Sequence, residues 1–205
     1  MKQAYSVRKV FDAKFKTAEF DGEWLAAVGY PEMTGSWCIG GMPKNGKTSF
    51  ALKLAKYLTK FGRVAYDSVE EGLTKSFQNA MLRAGMGEAS GKFMLLDREP
   101  IEELTARLKK PKSPQIIFID SIQFAELNFQ TYKKMKKEFP NKLFIYITHL
   151  KGARPHGDSA IKIWRDSSVI WNVEGFRAFP TSRYGGGEPI DVSAGMAQKY
   201  WGKIN

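Results

Sequence analysis

From Gly41 to Thr48 the chain reads Gly-Met-Pro-Lys-Asn-Gly-Lys-Thr, matching the pattern G-x-x-x-x-G-K-[ST] at every fixed position. The spacing suits a grip on a triphosphate. Successive backbone N–H groups can wrap the phosphates only where no side chain intrudes, hence Gly41 and Gly46. The Lys47 ammonium can reach the outer phosphates, and the Thr48 hydroxyl can bind Mg²⁺. The candidate site is therefore Gly41, Met42, Pro43, Lys44, Asn45, Gly46, Lys47, Thr48 and Ser49. A glycine turn with a chance lysine would show the same letters. Here an apolar run, SWCIG, precedes the loop and a helical pattern follows it, which is the context the chemistry needs.

A magnesium nucleotide site also needs a carboxylate at a nearby strand end. The run QIIFID supplies Asp120. Open α/β sheets bind ligands beyond the carboxyl ends of their strands, and Asp120 would hold the metal through its water shell.

The elements that must position these groups follow from hydrophobic periodicity. SWCIG, RVAYDS, KFMLLD, QIIFID and NKLFIYITH read as buried strands. Between them, Phe50, Leu54, Tyr57, Leu58 and Phe61 mark one helix. Leu73, Phe77, Ala80, Met81 and Ala84 mark a second, and Ile101, Leu104 and Leu108 a third. YKKMKKEF lies on a further helix, on which Phe129, Tyr132 and Met135 face a core and Lys133, Lys134, Lys136 and Lys137 face water. The expected fold is α/β: a mainly parallel sheet flanked by helices. After His149 the pattern changes. LKGARPHGDSA reads as a polar loop, and the following residues as an antiparallel hairpin extension of the same sheet, with turns at Glu174-Gly175 and Gly185–Gly187. Residues 1–33 read as an N-terminal arm with a short amphipathic helix, and residues 34–205 as one domain.

The 205 residues carry 32 Lys and Arg against 21 Asp and Glu, a net charge of +11, which makes a polyanion a plausible partner. The single cysteine, Cys38, excludes an internal disulfide and a cysteine-based zinc site. No signal-peptide pattern opens the chain and no run is long enough to span a bilayer, so the expectation is a cytoplasmic protein without a membrane partner.

In order along the chain stand GMPKNGKTSF, YDSVEEG, FIDSIQF, YITHLKG and FPTSRYGGG. Across residues 34–193 these resemble the RecA-type ATPase core of the P-loop NTPases, nearest to the DnaB-like replicative helicases and the RadA/Sms recombination proteins. The resemblance implies ATP and Mg²⁺ as cofactors, and ATP hydrolysis as the activity. It implies that Glu70, in SVEE, orients and deprotonates the attacking water, with Glu71 the weaker candidate. His149 matches the polar strand-end residue that senses the γ-phosphate. Arg183 matches the arginine that reaches into a neighbouring subunit's site, which implies a homo-oligomer, a ring or a filament. The lysine that usually accompanies this arginine is replaced by Thr181, and Arg177 is an alternative.

In related motors the loops after the fourth and fifth strands face a central channel and hold single-stranded nucleic acid. The matching segment, Leu150 to Ile161, contains Lys151, Arg154 and His156 and no aromatic platform. Binding there would be salt-sensitive and weakly sequence-selective. The leading expectation is a DNA-acting ATPase of replication, recombination or mobile-element processing. A nucleotide-gated scaffold with slow turnover is the alternative, and a small-molecule kinase a weaker one.

Overall fold

The structure is a computed structural model that describes residues 3–202. The first two residues of the N-terminal arm and the last three of the terminal segment MAQKYWGKIN lie outside the described residues. The five apolar runs become β1 (Gly35–Gly41), β2 (Val64–Ser68), β3 (Phe93–Leu96), β4 (Ile116–Asp120) and β5 (Leu143–Lys151). Short strands β6 (Arg154–Pro155), β7 (Val169–Glu174), β8 (Arg177–Ser182) and β9 (Ile190–Asp191) follow. The helices are α1 (Val7–Phe11), α2 (Gly22–Val28), α3 (Lys47–Leu58), α4 (Lys75–Arg83), α5 (Ile101–Lys109), α6 (Phe129–Glu138), α7 (Asp158–Asp166) and α8 (Ala194–Trp201).

The strand order is β3-β2-β4-β5-β1-β7-β8-β9, with β6 folded back on the end of β5. Strands β1 to β5 and β7 pair in parallel, and β8 and β9 add on antiparallel, as the hairpin reading expects. Strand β1 lies between β5 and β7, so the loop that follows it opens in the middle of the sheet edge. Registers Gly41↔His149 and Ser68↔Asp120 bring the carboxyl ends of β1, β5, β2 and β4 out along that one edge.

Both faces of the sheet are covered, which is why β2 and β4 are buried along their length and begin as apolar runs. On one face α2, α3 and α4 pack Trp24, Phe50, Leu54, Tyr57 and Phe77 against Trp37, Tyr66 and Trp171. On the other, α5, α6 and α7 pack Leu104, Tyr132, Met135 and Ile163 against Ile117, Phe144 and Tyr146. Ala18, Phe20, Trp24, Ala27 and Val28 belong to the first of these cores, whereas α1 has no buried residue.

Two local expectations change. Leu73 does not begin a helix: Thr74 caps α4 by accepting the Phe77 N–H, and Leu73 is left outside it, 69% exposed. The segment Leu150–Ile161 is not an open loop. β5 runs on to Lys151, turns through Gly152, returns as β6, and α7 begins at Asp158. Ala160, Ile163 and Trp164 recur at helical spacing and pack into the second core, which stabilises a helix that the flanking Gly-Asp-Ser and Arg-Asp-Ser-Ser hide in the sequence.

Candidate functional site

The loop Met42–Gly46 is the exposed bend between β1 and α3. Gly46 sits at φ 95°, a conformation that side chains resist, and a Cβ on Gly41 would run into the Val173 carbonyl oxygen. Glycine is therefore required at both fixed positions for reasons internal to the fold. Helix α3 has no side-chain cap, and its first internal bond is Phe50 N–H to the Gly46 carbonyl. The N–H groups of Lys47, Thr48 and Ser49 are the helix's unpaired amino-terminal donors, as an anion site needs. Lys47 Nζ donates to the Met42 carbonyl at 3.1 Å and so spans the bend. Burial lowers the Lys47 pKa, and the charges of Asp120 and Glu70 oppose that shift.

Asp120 is buried at the end of β4, and the hydroxyl of Tyr66 donates to its Oδ2 at 2.6 Å. Burial pushes the carboxyl up to about 6. The Tyr66 hydrogen bond pulls down, Glu70 pushes up, and the charges of Lys47 and His149 pull down again. Such a carboxylate is held in a single position where burial outweighs the charges of Lys47 and His149, so it favours a cation. With the Thr48 hydroxyl it offers an all-oxygen donor set, which suits Mg²⁺ keeping most of its waters. Among the described residues no group of three or more His, Cys, Asp or Glu is arranged to hold a metal by itself.

Glu70 follows β2, and its N–H donates to the Asp120 carbonyl at 2.9 Å, which sets it beside that strand end. Its Oε2 accepts from His149 Nε2 at 2.9 Å, with both side chains partly exposed. Glu71 points elsewhere: its carbonyl accepts from Arg98 and its carboxylate from Thr74. Lys47, Glu70, Asp120 and His149 thus meet at one edge, brought there by the ends of four strands.

His149 is also tied forward. Its carbonyl accepts the His156 N–H at 2.9 Å. Gln123 donates from Nε2 to Thr148 Oγ1 and to the His156 carbonyl, both at 2.8 Å. A polar chain therefore runs from Glu70 through His149 to the β5–β6 hairpin, where Lys151, Arg154 and His156 are exposed. Tyr66 and Gln123 are the participants that residue types alone did not single out. Gln123 lies inside the quoted FIDSIQF, and its position was the available signal.

Arg183 lies elsewhere. Val169 pairs with Ser182, and the Arg183 N–H donates to the Ser168 carbonyl at 3.0 Å, so it sits at the amino-terminal end of β7. A six-residue strand at ~3.3 Å per residue separates it from its own phosphate loop by about 17 Å. Arg177 is at the loop end of the hairpin, bound to Asp191 at 2.6 Å.

Solved structures share the fold that carries this geometry. The chain superposes on the crystal structure of the flagellar accessory protein FlaH from Methanocaldococcus jannaschii with TM-score 0.62 and 15% identity, over 88% of this chain and 96% of that one. It superposes on the ATPase domain of G40P with TM-score 0.56 and 17% identity, over 80% and 83%. No protein-family model matches the sequence, and no curated protein matches it. At these identities the likeness is one of fold, and it is the mainly parallel sheet flanked by helices that the resemblance to RecA-type cores implies. Among the described residues no helix is long and apolar enough to cross a membrane.

Proposed function

We propose that the chain binds ATP with Mg²⁺ at the Gly41–Ser49 loop, hydrolyses it, and uses the cycle to act on DNA as part of a homo-oligomer. The observation that carries this reading is the convergence of Lys47, Glu70, Asp120 and His149 beside the unpaired amides of α3. The loop amides and Lys47 hold the phosphates. Thr48 and Asp120 hold the cation, which neutralises charge on the phosphate oxygens when bound. Glu70 takes the proton of the attacking water, and the hydrogen bond from His149 orients its carboxylate. His149 then passes the state of the site to the basic hairpin through its carbonyl and Gln123. Single-stranded DNA is the partner that the exposed Lys151, Arg154 and His156 and the +11 net charge favour. Arg183 is too far from its own loop to act there, so its catalytic use requires a neighbouring copy. Cofactors of this kind fit a cytoplasmic setting.

Steady-state ATP turnover with and without single-stranded DNA tests the proposal. Lys47→Ala should lose turnover and binding together. Glu70→Gln should keep binding and lose turnover by about a hundredfold or more. Unchanged hydrolysis in Glu70→Gln removes the base assignment. A second reading, a nucleotide-gated scaffold with slow turnover, is favoured by the likeness to a structure described as a flagellar accessory protein. Tight ATP binding with negligible turnover, with or without DNA, selects it.

A further inference from the structure

Hairpin β7–β8 closes through two residues, Gly175 and Phe176, because Glu174 pairs with Arg177. Both have positive φ, 52° and 60°. A two-residue type I′ turn requires this, and Asn-Gly is its usual filling. A phenylalanine in that conformation is strained, since its Cβ crowds the following carbonyl. Strain of this kind persists where the side chain is used for something else.

The ring of Phe176 is only half-buried. It packs against the phosphate loop, where a Cβ built on Gly46 would lie 3.0 Å from its Cδ1. Asn45 pins the turn: its Oδ1 accepts the Gly175 N–H at 2.8 Å and its carbonyl accepts the Phe176 N–H at 3.2 Å. From the other side, the Phe176 carbonyl accepts the Val192 N–H at 2.8 Å. The ring so held forms one wall of a cavity of about 750 Å³ that adjoins the loop at Ser49 and is lined further by Lys53, Val192 and Met196. That volume falls within the range of small-molecule sites, and its lining sets the apolar Phe176, Val192 and Met196 beside the cations Lys53, Lys56 and Arg83, a mix that suits a planar ring with polar edges.

We infer that Phe176 is a specificity residue of the nucleotide site, stacking on the base of the bound nucleotide, and that Asn45 is its positioning residue. The inference rests on the nucleotide reading above. Inorganic tripolyphosphate carries the phosphates without the base, so it separates the two. Binding of ATP and of tripolyphosphate, each with Mg²⁺, is measured by calorimetry on the full chain and on Phe176→Asn and Asn45→Ala. Asparagine tolerates the left-handed turn, so Phe176→Asn folds. It should lose about tenfold or more in ATP affinity and leave tripolyphosphate affinity unchanged. Asn45→Ala should lower the ratio of ATP to tripolyphosphate affinity in the same direction, which general damage to the loop would not do. Equal losses for both ligands in Phe176→Asn, or no loss of ATP affinity, overturn the inference while leaving the nucleotide reading intact. A wild-type chain that binds neither ligand overturns that reading, and this inference with it.

Discussion

Asp67 lies on β2, three residues before Glu70, and is fully buried. Its Oδ1 accepts the Glu99 N–H at 3.0 Å, and its Oδ2 has no partner. Burial pushes its pKa from 3.8 to about 7. The Glu99 N–H pulls down, the Glu99 charge pushes up, Arg107 pulls down and Asp120 pushes up. The folded state therefore binds a proton that the unfolded state has released, and stability falls as pH rises through about 7. Between pH 5 and pH 8 the unfolded carboxyl is ionised throughout, whereas the folded one loses its proton near 7. About two pH units separate pH 5 from that point, so the wild type should lose about 3 kcal/mol from this group. Asp67→Asn removes the titration. The amide keeps the bond from Glu99, and whatever its buried NH₂ costs is the same at both pH values and cancels in the difference. The mutational effect should thus become more stabilising by about 3 kcal/mol between pH 5 and pH 8, or roughly 6–12 °C in melting temperature for a chain of this size. Thermal melts of both proteins across that range measure it. Parallel curves of melting temperature against pH would refute the reasoning, because they would mean that Asp67 ionises in the folded chain as it does in water.

Tyr66→Phe removes the donor to Asp120 and leaves the stack on Phe118 in place. The carboxyl pKa should rise above about 6 by roughly one unit or more, so the acid limb of kcat/KM should move to higher pH by that amount. A limb that stays in place separates Tyr66 from the chemistry. Gln123→Ala cuts the link between Thr148 and the β5–β6 hairpin; turnover without DNA should change by only a few-fold while stimulation by single-stranded DNA is lost, and stimulation retained in full would disconnect hairpin from site. Mixing inactive Lys47→Ala with inactive Arg183→Ala should restore part of the turnover, because one copy of each supplies an intact site and an intact arginine. No recovery at any mixing ratio argues against action in trans.

Much of the frame was legible because its signals are local. The phosphate loop is a contiguous pattern, and the strands of a sheet covered on both faces read as continuous apolar runs, as in the four residues before Asp120 in IIFID. Asp120 could be placed because it ends such a run. The contacts that complete the site are not local. His149 and Glu70 are 79 residues apart, and Tyr66 reaches Asp120 across 54, so only the strand order brings them together. Helix α7 was obscured because its polar ends resemble a loop, while the pocket that takes Ile163 exists only once β1 and β5 are paired. Phe20 and Trp24 lie within residues read as an arm, and their burial against Tyr57 and Phe50 depends on the same tertiary arrangement. Phe176 gave no signal in sequence, since a phenylalanine beside a glycine is unremarkable until its φ is known.

The most direct test of the account is a calorimetric titration of ATP, with Mg²⁺ present, into the purified full chain, run beside Lys47→Ala. Saturable heat with about one nucleotide per chain, weakened at least tenfold in Lys47→Ala and on removal of Mg²⁺, is the expected result. Absence of any saturable heat in the wild type, or heat that persists unchanged in Lys47→Ala, would contradict it.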